Sequence, residues 1–144
     1  MLTRIVDLEY PTVGGGREEV TYSYHSRTGR PTDADTDLSG VDTVIVDGAS
    51  WTAAGLPDAY VLGSDTGEIV HRSWTYEDGS QRLARIRAGT SPGGDGISDF
   101  RHFYDAVGTV VKLNDENHGA GGQLQCFSYD DLNRLEEGFT SNDW

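Results

Sequence analysis

The chain has 144 residues, of which 35% are hydrophobic, 10% are aromatic and 19 are glycine. This composition is too apolar for a disordered chain and too rich in glycine for a compact helical domain, so it predicts many short strands joined by turns. Acidic residues outnumber Lys and Arg by 24 to 11, which gives a net charge of −13. Such a charge repels phosphate backbones and argues against nucleic-acid binding.

Strand signals dominate the chain from its first quarter onwards. Segments rich in β-branched and aromatic residues predict strands, in chain order, at 20–24, 43–46, 68–76, 83–87, 101–104, 109–113 and 123–129. Glycine-rich segments at 14–16, 63–67, 89–96 and 119–122 lie between them. We interpret these segments as loops at the rim of one sheet and not as linkers between domains.

An aromatic–Ser/Thr–Tyr phrase occurs three times, ending at Tyr24, Tyr76 and Tyr129. The tyrosines recur after 52 and then 53 residues. An arginine closes the polar turn after each copy: Arg30, Arg82 and Arg134. Fixed spacing of this kind indicates a repeat array, in which one hairpin unit is copied because it cannot bury its apolar face alone.

A finer period lies inside this repeat. Trp51 with Gly55 falls between the first two copies, and Tyr104 with Gly108 falls between the last two, so the unit is 25 to 28 residues long. The segment 2–5 reads like the segment 83–86, which predicts that the chain begins in the middle of a repeat. Residues 128–138 also fit a capped two-turn helix, but the repeat register favours strand, turn and strand.

The turn residues of the repeat have structural roles. An aspartate directly after the tyrosine, as at Asp105 and Asp130, can accept hydrogen bonds from turn amides. Gly108 and Asn133 can supply the positive φ that a tight hairpin needs. The arginines can lie over the aromatic rings or pair with turn carboxylates.

Two segments carry a family resemblance. Tyr104-Asp105-Ala106-Val107-Gly108 and Tyr129-Asp130-Asp131-Leu132-Asn133-Arg134-Leu135 resemble the Tyr-Asp-x-x-Gly-Arg and Tyr-Asp-x-Leu-Asn-Arg-Leu signatures of the RHS/YD-repeat family. The earlier copies follow the pattern more loosely. The repeat-signature residues, all assigned structural roles, are Tyr24, Gly29, Arg30, Trp51, Gly55, Tyr76, Arg82, Leu83, Tyr104, Asp105, Gly108, Tyr129, Asp130, Asn133, Arg134 and Leu135.

The resemblance implies an all-β fold of antiparallel β-hairpin repeats in one twisted, open sheet. Residues 1–144 would form a single segment of four to five hairpin units that starts and ends in mid-repeat, a fragment of a longer array. Its role would be that of a scaffold, within a shell that in the family encloses a toxin or forms a cell-surface protein. The implied partners are flanking repeats and an enclosed toxin domain, and the implied location is secreted or at the cell surface.

Catalytic, cofactor and metal sites are not indicated by the sequence. Asp33, Asp35 and Asp37 alternate like the ligands of a calcium loop, but Leu38 and Val44 stand where an EF-hand needs Gly and Glu, so we expect a solvated loop and leave calcium open. Cys126 alternates with packing residues and is not read as a nucleophile.

A carbohydrate- or protein-binding β module remains the alternative to a scaffold. It would use exposed aromatic rings such as Trp51, Trp74 and Tyr60 as stacking platforms, and it would be indicated if those rings lined an open face. No apolar run is long enough for a membrane span, and the first residues do not resemble a signal peptide.

Overall fold

The computed structural model describes residues 4–12, 16–38, 40–65, 67–117 and 122–141. These residues form strands and turns, with no helix that could cross a membrane. The strands are β1 (Asp7–Glu9), β2 (Glu18–Tyr24), β3 (Pro31–Leu38), β4 (Asp42–Trp51), β5 (Pro57–Leu62), β6 (Val70–Tyr76), β7 (Leu83–Gly89), β8 (Ser98–Tyr104), β9 (Val110–Asp115), β10 (Gln123–Tyr129) and β11 (Leu135–Ser141). Within residues 1–71 and within residues 72–144 they follow one another in chain order in an open sheet.

Each strand pair with a described register is antiparallel, which confirms the predicted fold of β-hairpin repeats. The seven predicted strands all occur, and most extend by one to five residues beyond the predicted bounds. Residues 128–138 form strand, turn and strand as favoured, because β10 ends at Tyr129 and β11 begins at Leu135. The predicted loops at 14–16 and 119–122 lie largely outside the described residues.

One prediction was wrong: the acidic segment that begins at Asp33 is a strand and not a solvated loop. Residues Pro31–Leu38 form β3, which pairs with β2 on one side and β4 on the other. Asp33 and Asp37 accept hydrogen bonds from the Gly48 and Gly40 amides at 3.0 and 2.6 Å. Flanking strands therefore override the low β-propensity of aspartate at these positions.

The chain comprises two compact units, residues 1–71 (unit 1) and residues 72–144 (unit 2). A single sheet has no second layer to cover its faces, so few side chains are buried. Among the described residues, the buried hydrophobic ones are Val20 in unit 1 and Ala88 and Leu124 in unit 2. That all 144 residues act as one repeat segment stays a prediction.

Unit 2 also has an ion pair whose carboxylate is buried and whose guanidinium is partly exposed. Asp99 is 2% exposed, and its carboxylate accepts two hydrogen bonds from the Arg85 guanidinium, one of them at 2.6 Å from Nε. These hydrogen bonds raise the pKa of Arg85 above its ordinary value, so the guanidinium stays charged. Asn114, also fully buried, donates to Glu116, which in turn pairs with Arg101.

Candidate functional site: aromatic sockets along the turn edge

Five hairpin turns follow the even-numbered strands, and they come in two lengths. The turns 52–56, 105–109 and 130–134 have five residues, in which the first amide donates to the carbonyl of the fifth residue. The turns 25–30 and 77–82 have six residues and close in the same way between their first and last residues. The extra residue accounts for one of the two or three residues by which alternate repeat spacings differ in the sequence.

The residue directly after the aromatic one anchors the turn with its side chain. Asp105 Oδ1 accepts from the amides of Val107, Gly108 and Thr109 at 3.0, 2.8 and 2.8 Å. Asp130 Oδ1 accepts from the amides of Leu132 and Arg134, both at 2.9 Å. These are the local hydrogen bonds that the sequence predicted for the two aspartates.

The copies without aspartate use other acceptors for the same purpose. His25 Nδ1 accepts from the Thr28 amide at 3.2 Å, and Thr52 Oγ1 accepts from the Leu56 amide at 3.1 Å. Glu77 accepts from the Ser80 hydroxyl at 2.6 Å and from Arg82. The hydrogen bond from Ser80, and then the one from Arg82, lower the pKa of Glu77. The departures from the Tyr-Asp signature therefore preserve the turn.

A residue with positive φ precedes the last residue of each turn. Gly108 has φ of 96°, and Asn133, which tolerates this region better than most side chains, has φ of 58°. Gln81 occupies the same position with φ of 59°, although glutamine rarely adopts it. Sequence reasoning missed Gln81 because it expected the positive φ at glycine or asparagine, as at Gly108 and Asn133.

The aromatic residue at the end of an even-numbered strand reaches back to the strand before it. Hydroxyl groups donate to main-chain carbonyl oxygens from Tyr104 to Leu83 and from Tyr129 to Val110, both at 2.8 Å. Tyr24 donates in the same way to Ile5 at 2.5 Å, and the indole N–H of Trp51 donates to Pro31 at 2.9 Å. Each acceptor except Ile5 is the first residue of the preceding strand.

An arginine next to the accepting carbonyl completes the arrangement in three of these four places. Its guanidinium carbon lies 4.8 Å from the Tyr104 ring centre for Arg82, 5.9 Å from Trp51 for Arg30, and 5.4 Å from Tyr24 for Arg4. At two of the turn glycines the guanidinium occupies the space where a Cβ would lie, Gly29 against Arg4 and Gly55 against Arg30, whereas Gly108 leaves Arg82 at ordinary contact distance. We call the arginine and the adjacent carbonyl a socket.

The socket of Arg82 shows how charge and burial cooperate. Arg82 Nε pairs with Glu77 of its own turn at 2.7 Å, while Nη1 donates to the Asp105 carbonyl at 3.3 Å. Burial, and secondly the charge of Glu77, raise the pKa of the Tyr104 hydroxyl above its usual value. The hydroxyl therefore stays protonated and remains a hydrogen-bond donor to the Leu83 carbonyl.

The place that receives Tyr129 is not a complete socket, because Thr109 stands where the others have arginine; the hydroxyl bond to the Val110 carbonyl is kept without a stacked guanidinium. At the start of the chain, sequence reasoning aligned 2–5 with 83–86. The structure instead makes Arg4 and Ile5 equivalent to Arg82 and Leu83. The contact of Arg4 with Tyr24 could have been predicted from the sequence, because the dipeptide Arg4-Ile5, an arginine followed by an apolar residue, is similar to Arg82-Leu83.

The structure also places the residues of the binding-module alternative. Trp51 packs in its socket, and Trp74 has the Arg72 guanidinium 5.5 Å from its ring centre. A shallow depression of about 290 Å³ beside Trp51 is lined by His25, Thr28, Arg30, Thr32, Ala49, Ser50 and Trp51. The indole N–H that would orient a sugar hydroxyl already donates to Pro31. Among the described residues, no cluster of His, Cys, Asp or Glu could hold a metal ion.

Within each unit the sheet extends hairpin by hairpin and sockets join successive hairpins, which is the construction of a β-repeat array. Solved Tc toxin structures share this fold. The crystal structure of TcdB2-TccC3-Cdc42 matches 83% of this chain with a TM-score of 0.70 and 23% identity. The TcdB2-TccC3 crystal structure and a mutant Tc holotoxin pore from Photorhabdus luminescens give the same TM-score and coverage at 22% identity.

These Tc toxin chains contain an RHS-repeat shell, so the predicted resemblance is confirmed at the level of the fold. The matched region is a small part of them, because the chain spans 6% of the length of each. No family model matches the chain, and no curated protein sequence matches it significantly.

Proposed function

We propose that this chain is a structural segment of an RHS/YD-repeat β-shell and performs no catalysis of its own. The ladder of sockets at Arg4, Arg30 and Arg82 carries the proposal, because in each of them an arginine and a carbonyl of one repeat hold the aromatic side chain of the repeat that follows. Such nearest-neighbour joints are what a wall built of repeats requires. The fold shared with Tc toxin chains supports the same role.

The polar residues that recur in the chain are used by the turns and sockets. The Asp105 carboxylate accepts three amides, and the Arg82 guanidinium is shared among Glu77, the Asp105 carbonyl and the Tyr104 ring. Polar groups whose hydrogen bonds are made within the turns and sockets stabilise the repeat array and are not directed at a substrate. This use of the conspicuous polar residues favours a scaffold over an enzyme.

In this role the immediate partners of the chain are hairpins of the same type, and the content of the shell is a toxin polypeptide. The Tc toxin structures with the same fold support both partners and support a secreted parent protein. The net charge of −13 is suited to keeping a large wall soluble.

The test is made on the natural polypeptide that carries these residues. Its intact mass is measured first, and limited proteolysis then follows the survival of its other regions. We expect a polypeptide much longer than 144 residues, with an internal region that resists protease until a socket is broken by Tyr104→Ala. Asp95→Ala is the control, because its side chain is 59% exposed and lies outside the sockets. A natural product of 144 residues that encloses nothing would contradict the proposal.

A further inference from the structure

A socket without an occupant lies at the end of the ladder, on strand β11. Arg134 closes the last turn and Leu135 begins β11, just as Arg82 and Leu83 close a turn and begin β7. Among the described residues no aromatic ring lies over Arg134, whose side chain is 74% exposed. β11 is also the last strand in the order of the sheet, so its outer edge has no strand beside it in the described part of the chain.

Arg134 is already held in the position that an occupied socket needs. Its Nε and Nη2 atoms each lie 2.6 Å from Asp130 Oδ2, in the first residue of its own turn. Arg82 is held by Glu77, also the first residue of its turn, at 2.7 Å while it stacks on Tyr104. The guanidinium of Arg134 is thus oriented before any ring arrives.

The accepting carbonyl is identified by strand register. In the filled places, a register shift in the strand pair comes just before the aromatic residue. The residue that pairs with this aromatic residue across the hairpin then accepts, through its carbonyl, the hydrogen bond from the aromatic residue of the next hairpin. Pro31 pairs with Tyr24 and accepts from Trp51, and Val110 pairs with Tyr104 and accepts from Tyr129. Leu135 pairs with Tyr129 across the same kind of shift. Its carbonyl is therefore the equivalent acceptor.

The filled sockets define the chemistry of the occupant. It needs a ring with a polar hydrogen, tyrosine or tryptophan, because each filled socket receives an O–H or N–H bond. Four or five residues later it needs a residue with positive φ, which is glycine in each socket that has an arginine, and in two of those three the guanidinium also occupies the space of a Cβ. Its strand must run antiparallel to β11, as β10 does to β9.

A second copy of this chain, presenting its own first strand, fits these requirements poorly. β1 carries Asp7 and Glu9, so pairing it with β11, which carries Glu136 and Glu137, would bring like charges together. The aromatic residues of the sockets end even-numbered strands, and β1 is odd-numbered. A further hairpin of the repeat type is therefore the occupant that the geometry favours.

We propose that Arg134 and the Leu135 carbonyl form a binding site for a β-hairpin whose first strand ends in tyrosine or tryptophan and whose turn carries glycine. The hairpin adds to the edge of β11, its hydroxyl or indole N–H donates to the Leu135 carbonyl, and its ring stacks on Arg134. This inference rests on the proposed scaffold function and specifies the joint by which the wall continues.

The test uses the full chain and a synthetic hairpin that copies residues 100–115, which contain Tyr104 and Gly108. Since Phe100 pairs with Asp115, a disulfide between cysteines added at the two ends closes the peptide into an ordered ring. Circular dichroism checks its strand content, and fluorescence anisotropy of the labelled peptide measures binding. We expect saturable binding, weaker by about fivefold with phenylalanine in place of Tyr104 and weaker still with alanine.

Matched protein variants locate the site. Arg134→Ala should weaken binding about fivefold or more, whereas Arg17→Ala, which removes the same charge from another exposed ion pair, should not. A photoreactive group at the Tyr104 position of the peptide should crosslink to residues 134–135.

Three results would overturn the inference: equal affinity for the tyrosine and alanine peptides, no saturable binding by the ordered ring up to about 1 mM, or crosslinks elsewhere. The inference would also be overturned if the chain self-associates and the peptide does not inhibit this self-association, because the occupant would then be a second copy. If the peptide fails while the natural polypeptide shows a protected interior, the scaffold function stands without this socket. If the peptide binds but the natural product has only 144 residues, the socket proposal is supported and the shell proposal is wrong.

Discussion

Units 1 and 2 are built alike at their turn edges and differently on their faces. Arg30 with Trp51 in unit 1 and Arg82 with Tyr104 in unit 2 make the same stack and the same bond to a preceding carbonyl. On its face, unit 2 buries Asp99, which pairs with the partly exposed Arg85, whereas the aspartates of β3 in unit 1 are half-exposed.

The difference shows which part of the repeat is constrained. A socket depends on groups fixed by turn geometry, so each copy must supply a ring, an acceptor and a residue with positive φ. A sheet face depends on cross-strand neighbours, and any mutually compatible set will serve. The two units therefore share joints while their faces differ in charge and burial.

The largest expected effect is on the face of unit 2. Asp99→Ala leaves the Arg85 guanidinium without its carboxylate and should lower the free energy of unfolding by about 3 kcal/mol. Denaturation in urea, followed by circular dichroism, measures the change. The control is Asp95→Ala, 3.8 Å from the same guanidinium but exposed, which should cost less than about 1 kcal/mol. Equal costs would mean that burial does not distinguish the two acids.

Socket variants should affect both units alike. Tyr104→Phe in unit 2 and Tyr24→Phe in unit 1 each remove one hydroxyl bond to a carbonyl and should each cost about 1 kcal/mol. Tyr104→Ala also removes the ring from Arg82 and should cost about 2 kcal/mol. Hydrogen exchange of the amides in each unit reports where protection is lost. A cost confined to one unit would contradict the common construction of the joints.

One substitution should stabilise the protein, and it tests the role of arginine in the sockets. Thr109→Arg supplies a guanidinium beside the Tyr129 ring, where the other sockets already have one, and should stabilise the protein by about 0.5 kcal/mol. Thr109→Lys is the control, because it adds the same charge without the planar group that stacks. The midpoint of thermal unfolding measures both. Stabilisation by lysine alone would attribute the gain to net charge.

The smallest effect concerns acid at the last turn. Hydrogen bonds from the Arg134 amide, foremost, and then from the Arg134 side chain and the Leu132 amide, lower the pKa of the Asp130 carboxyl. Its stabilising contribution is therefore complete above its unfolded-state pKa and is lost as pH falls through the lower folded-state value. Asp130→Asn should be less stable than the parent at pH 7 and should converge with it in stronger acid. Carboxyl NMR titration that gives an unshifted or raised pKa would contradict this.

Sequence reasoning predicted the joints better than the faces. Tyr104, Asp105 and Gly108 are close in sequence and recur, so their turn could be predicted from local rules. Arg85 and Asp99 are 14 residues apart in sequence, and their pairing depends on the register between β7 and β8. β3 was missed because aspartate has low strand propensity.

The ladder of sockets also has a direction. In each occupied place with arginine, the earlier hairpin supplies the socket and the later one supplies the ring, as Arg30 does for Trp51 and Arg82 does for Tyr104. On the ribosome, earlier residues emerge first, at about 5 to 20 residues per second. Each hairpin therefore leaves the exit tunnel to find its docking surface already made, and the wall can fold at the pace of translation without waiting for residues still to be synthesised.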